Sequence, residues 1–242
     1  MKKNIFLHFS LNNIFFYKIY LYYNLYIRNL KYLFKLSHSQ VDEDVFLKKY
    51  FSKKKGFYID IGCYHPFINN NTFLLYKLGW SGLNIDLNKI SIDLFNIMRP
   101  RDINICTTIS NKKEKVEYFV PNNNPISPEI TISRSFSKNI SKRHNSSYKS
   151  LKTKSITWAE IEKKYKSKIK NVDILKIDIE GLDYKFLRSI NLKNMKPHLI
   201  MIEAPHFEKI ETKKIVNYLK NKSFKIIYNN TLNIIFKNQS KD

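Results

Sequence analysis

Glycine is scarce in this chain, with five in 242 residues, and proline adds only seven. That excludes collagen-like repeats and low-complexity tracts. Cysteine occurs twice, at Cys63 and Cys106. Two are too few for a disulfide framework, and they lack metal-ligand spacing. A reducing, cytoplasmic setting is the expectation. Acids are few as well: 20 Asp and Glu stand against 43 Lys and Arg, for a net charge of +23. Within that excess arginine is rare, 6 against 37 lysines. Phosphate and base readers lean on arginine for two-pronged contacts, which weighs against nucleic acid as the partner. Lys, Asn, Ile, Phe and Tyr are abundant together, so the charge reads mainly as drift at solvated positions; an anionic partner is the other reading. Uninterrupted apolar runs of membrane-spanning length are missing too, and no transmembrane helix is expected.

What is present fits a globular protein. The apolar fraction is 43% and the aromatic fraction 14%, and the length suits one domain with an extension. Residues 1–36 begin with Lys2 and Lys3 before an apolar run, as a signal peptide would. Asn12, Asn13 and Lys18 interrupt the run, and no small-residue cleavage site follows. Apolar positions recur every three or four residues through Ile19, Tyr22, Tyr23, Tyr26, Ile27 and Leu30. This predicts an amphipathic helical extension, either packed on the flank of the domain or anchored at a membrane surface. The second case would place the protein at the inner face of the membrane.

Residues 37–242 read as the main domain. Ser39 is placed to cap a helix that stops before Gly56. Short apolar strands then alternate with helices, among them 57–61, 82–86, 103–109, 172–178 and 198–203. Such alternation predicts a mainly parallel sheet covered on both faces. Strands at 224–228 and 232–236 are joined by Asn229, Asn230 and Thr231, residues that tolerate positive φ, so a C-terminal antiparallel hairpin is expected with its antiparallel strand at the sheet edge. Residues 130–154 break the pattern. They are rich in Ser, Asn, Lys and Arg and contain no acid. A long, mobile basic loop is expected there.

Three segments carry the chemistry. GFYIDIGCYHP, residues 56–66, ends a strand with Asp60 and turns at Gly62, Cys63 and Tyr64. Strand ends of this kind bind nucleotides in α/β sheets. Without the G-x-G-x-x-G pattern, a nucleoside bearing an amino acid fits better than a pyrophosphate. Asp60 is then placed to accept from its ammonium. GLNIDLN, residues 82–88, closes the next strand with Asp86, suited to two ribose hydroxyls, with Leu87 beside it. DILKIDIEGLDYKFL, residues 173–187, puts Asp178 and Glu180 beyond an apolar strand, where period two gives them one face. They are candidates to position or deprotonate an acceptor hydroxyl. Helix-dipole complementation and ligation of a divalent ion are the alternatives, though no metal site is expected. His65, in the first turn, is a candidate base, and His206 a weaker one.

Together these strings resemble the FkbM family of methyltransferases. GFYIDIGCYHPFINNNTFLLYKLGWSGLNIDLN resembles its opening, and VDILKIDIEGLDYKFLRSI followed by PHLIMIEA its second signature. SHSQVDEDVFLKKYF resembles its lead-in, with Asp42 where the family has glycine; RPRDIN at 99–104 and SITWAEIEKKY also fit. The resemblance runs from about residue 37 to 236. It implies a Rossmann-like fold of class I methyltransferases, S-adenosylmethionine as donor, and oxygen as the usual acceptor, in sugars of surface polysaccharides or in natural products. Asp60, Gly62 and Asp86 would hold the cofactor. Asn71 and Thr72 match an Asn-Thr pair, Asp178, Glu180 and Gly181 an acid-x-acid-Gly motif, Asp183 a following acid, and Gln40, Glu43 and Asp44 the lead-in. A small-molecule or glycan substrate is expected; RNA, suggested by the net charge, is the alternative.

Overall fold

The computed structural model describes residues 13–52, 55–110, 112–122, 124–170, 172–179, 182–204 and 209–241. Its strands are β1 (Phe57–Ile61), β2 (Ser81–Asp86), β3 (Ile103–Cys106), β4 (Thr108–Ser110), β5 (Lys115–Pro121), β6 (Tyr148–Thr157), β7 (Ile174–Ile177), β8 (Leu199–Glu203), β9 (Phe224–Asn229) and β10 (Asn233–Asn238). Seven of them form one sheet in the order β3-β2-β1-β7-β8-β10-β9, with every pair from β3 to β8 parallel. The order runs outward from β1 to β3 and then resumes on its other side with β7. A crevice opens at that reversal, at the carboxyl ends of β1 and β7.

Period two divides the sheet's residues between its faces. Ile59, Ile61, Leu175, Ile177, Ile200, Ile202, Ile234 and Phe236 belong to one buried cluster. It is covered by helices α7 (Trp158–Lys164), α8 (Lys166–Ile169), α9 (Asp183–Ser189), α10 (Leu192–Met195) and α11 (Lys209–Lys220), which supply Ile161, Ile169, Leu187, Met195 and Leu219. Tyr58, Ile174, Leu199, Met201 and Ile235 face the other way, against α3 (Glu43–Phe51) and α4 (Phe73–Lys77) through Leu47, Phe51 and Leu75. Both faces are thus covered, as near-continuous apolar strands require.

The extension is helical over α1 (Ile14–Tyr23), a π-helical turn at Asn24–Arg28, and α2 (Leu30–Leu33). Tyr20, Leu21 and Leu25 pack with Phe67, Phe73, Ile90 and Leu94, so the extension lies on the first turn and on α5 (Lys89–Met98). Tyr17 donates to Asp93 at 2.6 Å from the same side.

Three sequence expectations need correction. First, β10 is antiparallel to both β8 and β9, and lies between them rather than at the edge. Its Ile234, Ile235 and Phe236 are buried, whereas β9 is only partly covered and takes the edge. None of Asn229, Asn230 and Thr231 has positive φ. The Asn230 side chain turns the chain instead, its Oδ1 accepting from the amides of Leu232 at 2.9 Å and Asn233 at 2.7 Å. Second, residues 130–154 are not a structureless loop. They hold α6 (Arg134–His144) and most of β6, which joins β4 and β5 in a second sheet, order β4-β6-β5. Pairing with β5 along its whole length makes a strand of a Lys- and Ser-rich segment with no apolar alternation of its own. Third, α3 starts at Glu43, not at Ser39.

The lead-in before α3 is tied to the far end of the sheet. Asp42 takes the left-handed conformation with φ 59°, so it keeps the backbone shape that glycine would adopt. Glu43 is fully buried and accepts from Asn230 at 2.8 Å, Asn233 at 2.7 Å and the Val41 amide at 3.1 Å. Burial raises its carboxyl, but the bonds from Asn230, Val41 and Asn233 outweigh that and hold it below the usual range. Asp44 accepts from Ser37, Ser39 and the His38 amide. Glu43→Ala leaves the buried Asn233 amide and the Val41 N–H without their acceptor and is expected to destabilise the fold by roughly 2–4 kcal/mol. Chemical denaturation checks this, with Asp42→Gly expected near neutral.

Candidate active site

A cavity of about 260 Å³ lies at the carboxyl ends of β1, β2 and β7, under the smaller sheet. Gly62, Tyr64, Asp86, Leu87 and Asp178 line it, with Gln40 from the lead-in and Thr107–Ser110 from the end of β3 and from β4. Glu203 at the end of β8 and Lys185 on α9 complete its polar wall together with Glu114.

Asp86 is the best-prepared group. Its Oδ2 accepts from the Tyr64 amide and its Oδ1 from the Asn88 amide, each at 2.8 Å. Each oxygen is thus oriented by one backbone bond, while the carboxylate borders the cavity. Burial pushes its pKa up to about 6, against the pull of those two bonds. Tyr64 reaches Asp86 by adopting φ 57°, a conformation costly for an aromatic residue and characteristic of functional turns.

Gly62 is required for a different reason than close approach of a ligand. It has φ +76°, and a Cβ there would sit 1.7 Å from the Asp178 carbonyl oxygen. The glycine therefore lets β1 and β7 end side by side, with the Asp178 amide donating to the Ile61 carbonyl at 3.0 Å.

Asp60 does not reach the cavity, so the expected contact with a ligand ammonium is corrected. It is fully buried beneath the turn. Its Oδ2 accepts from Thr72 Oγ1 at 3.1 Å, and its Oδ1 faces Lys176 Nζ at 3.2 Å. Asp60 and Lys176 are register partners on β1 and β7. Lys176 also bonds the Gly62 carbonyl and Asp178 Oδ2, both at 3.2 Å. Burial pulls the lysine down, but the charges of Asp178 and Asp60 outweigh that and hold it above its ordinary value. Lys176 lies within a strand that reads as apolar. Its signal was there: a lysine inside ILKI is costly unless a carboxylate meets it.

Other candidates are brought together behind the turn. Thr72 is fully buried between Asp60 and Arg99, whose Nη1 donates to Thr72 Oγ1 at 2.8 Å. Arg99 is itself fully buried, donates to Asn70 Oδ1 at 2.6 Å and to the Pro66 carbonyl at 2.9 Å, and lies over Phe95 and Phe73. It clamps the loop between Gly62 and α4 in place. Asn71 is buried with its amide 3.5 Å from Glu43. Cys63 packs with Ile92 and Phe95, and burial pushes its thiol well above the ordinary value.

His65 is also turned away from the cavity. It is buried, with Nε2 3.2 Å from Asn24 Oδ1 and its ring edge-on to Phe67. Burial, with help from Arg99 and Arg28, lowers its pKa to about 3. An imidazole that stays neutral and bonded to the extension is a packing element, and the expectation of a base there is corrected. Glu180, Gly181 and His206 lie outside the described residues. Asp183 is buried at the start of α9 and accepts from the Ile179 amide at 3.0 Å; burial, then the charge of Asp178, pushes it up to about 7.

The model of the FkbM methyltransferase domain matches residues 60–226. The chain belongs to the FkbM methyltransferase family. It is therefore an S-adenosylmethionine-dependent methyltransferase with a Rossmann-like fold. No curated protein matches the chain significantly. The residues present fit such a cofactor: Asp86 borders the cavity with two oriented oxygens, which could take a pair of ribose hydroxyls, and Leu87 and Ile109 are apolar wall that could take a flat base. Among the described residues no helix is long and apolar enough to cross a membrane.

Two outcomes are expected. Cofactor affinity, followed by calorimetry, weakens as pH falls through about 6, because Asp86 must be ionised to accept both hydroxyls; below that, one pH unit costs up to about tenfold. Lys176→Met strands Asp60 as a buried, uncompensated carboxylate and is expected to destabilise by about 3–5 kcal/mol, with much of the loss recovered in the Asp60→Asn, Lys176→Met double variant.

Proposed function

We propose that this methyltransferase is an O-methyltransferase for a sugar or other small hydroxyl acceptor, in the modification of surface polysaccharides or related glycans. The observation that supports the reading is the charge of the cavity wall. Its described lining residues include Asp86, Glu114, Asp178 and Glu203 against Lys185 as the one cation. A polyanion such as RNA would meet four carboxylates where the chemistry takes place, whatever the net charge of +23 does elsewhere. A neutral polyhydroxyl acceptor finds acceptors in those carboxylates, and further partners in Thr107, Thr108, Ser110, Ser127 and Thr131.

When bound, the cofactor supplies an electrophilic methyl group. Asp86, held by the Tyr64 and Asn88 amides, would fix the ribose, and Gln40 would close the site from the lead-in side. Asp178 would orient the acceptor hydroxyl and take its proton as the new C–O bond forms and the C–S bond breaks. Lys176, 3.2 Å from its Oδ2, fixes the direction of that carboxylate.

Asp178→Asn is expected to cut turnover about 10²–10⁴-fold while changing cofactor affinity far less. The decisive assay offers methyl-labelled cofactor to nucleotide sugars, glycans and RNA together. Label in a base-stable methyl ether on a sugar is the expected result; label in RNA, or on an amine, would sink the proposal.

A further inference from the structure

The helical extension has an apolar inner face and a second apolar face that nothing in the described structure covers. Tyr20, Leu21 and Leu25 point inward and are at most 6% exposed. Phe15, Ile19, Tyr22, Tyr26, Ile27 and Phe34 are 64, 43, 53, 41, 68 and 80% exposed. Phe15, Ile19, Tyr22 and Tyr26 follow one another at spacings of four, three and four, which puts them along one side of the helical extension, and Ile27 and Phe34 continue the exposed apolar surface. A surface helix normally carries one apolar stripe; a helix apolar on both sides is one that is covered on both.

The charges that the extension carries have one sign. Lys18, Arg28, Lys31 and Lys35 are exposed, and the first acid of the whole sequence is Asp42. Two copies of such a face would repel one another, which disfavours self-association. Tyrosine-rich, lysine-flanked apolar surfaces match the boundary between lipid headgroups and acyl chains. The rod from Ile14 to Leu33 is about 30 Å long at 1.5 Å per residue, and its inner side is committed to α5 and the first turn, so it lies flat instead of crossing.

We propose that the outer face of residues 14–36 is a docking surface for an anionic lipid bilayer. The inference is independent of the acceptor. Docking holds the cavity at the bilayer, because α1 lies along α5, whose cap Asn88 orients Asp86.

The test uses the full chain and vesicles containing phosphatidylglycerol, read by co-sedimentation. A variant with Phe15→Ser, Ile19→Ser, Ile27→Ser and Phe34→Ser keeps every charge. It is expected to bind at least about tenfold more weakly, with Tm and cofactor binding unchanged. A second variant, Lys18→Gln, Lys31→Gln and Lys35→Gln, is expected to lose binding to these vesicles as well, and wild-type binding is expected to fall with added salt. Equal binding by the serine variant would overturn the proposal, since general charge would then suffice. So would a fall in its Tm, which would show the face covered within the chain. A wild-type dimer that the serine substitutions dissolve, without any vesicle binding, would overturn it in favour of a second copy.

Discussion

A buried charge pair ties the site to the sheet. Asp60 and Lys176 face each other across β1 and β7, the two strands between which the order of the sheet reverses. Neither ion is tolerable there alone. Together they fix the ends of both strands, because the lysine also holds the Gly62 carbonyl and Asp178. On the other side of Asp60, Thr72 passes the constraint to Arg99, and Arg99 passes it to the loop through Asn70 and Pro66. The cavity-facing residues Gly62, Tyr64 and Asp178 hang from this network. This turn is held by ionic and polar bonds in a dry interior, where they are directional and strong.

The net charge and the site charge have opposite signs, and the two belong to different parts of the molecule. Lysines crowd α6, β6 and the extension, while the cavity wall is acidic. A sulfonium-bearing cofactor is cationic, and an acidic wall favours it over an anion of similar size. The positive exterior is free to serve solubility or attraction to a surface. Composition alone merges these two fields into one number.

How much of this was legible follows from what period and motif report. Alternating strands and helices predicted the parallel sheet, and a strand-closing acid marked Asp86, which the structure places at the cavity. The same rule marked Asp60, yet it sits one residue further inside, before the strand turns at Gly62. Which way a side chain points depends on its partner, and that partner, Lys176, is 116 residues away. His65 was misread for the same reason. Its place in the turn was correct, but its ring bonds Asn24 in the extension. Residues 148–154 of β6 do not read as a strand because their hydrogen-bond partner, not their own sequence, makes them one. At Asp42, where the family has glycine, the left-handed backbone is kept and aspartate adopts it.

The insertion of β10 between β8 and β9 has a consequence for synthesis. Until residues 233–238 leave the ribosome, β8 has no neighbour on that side and its row of amides and carbonyls stays open. The nascent sheet then presents LIMIE as an unprotected apolar edge, the kind of template on which unrelated chains pair. Synthesis of β10 therefore closes the sheet, and a chain that stops before it lacks Ile234 and Phe236 on one buried face and Ile235 on the other.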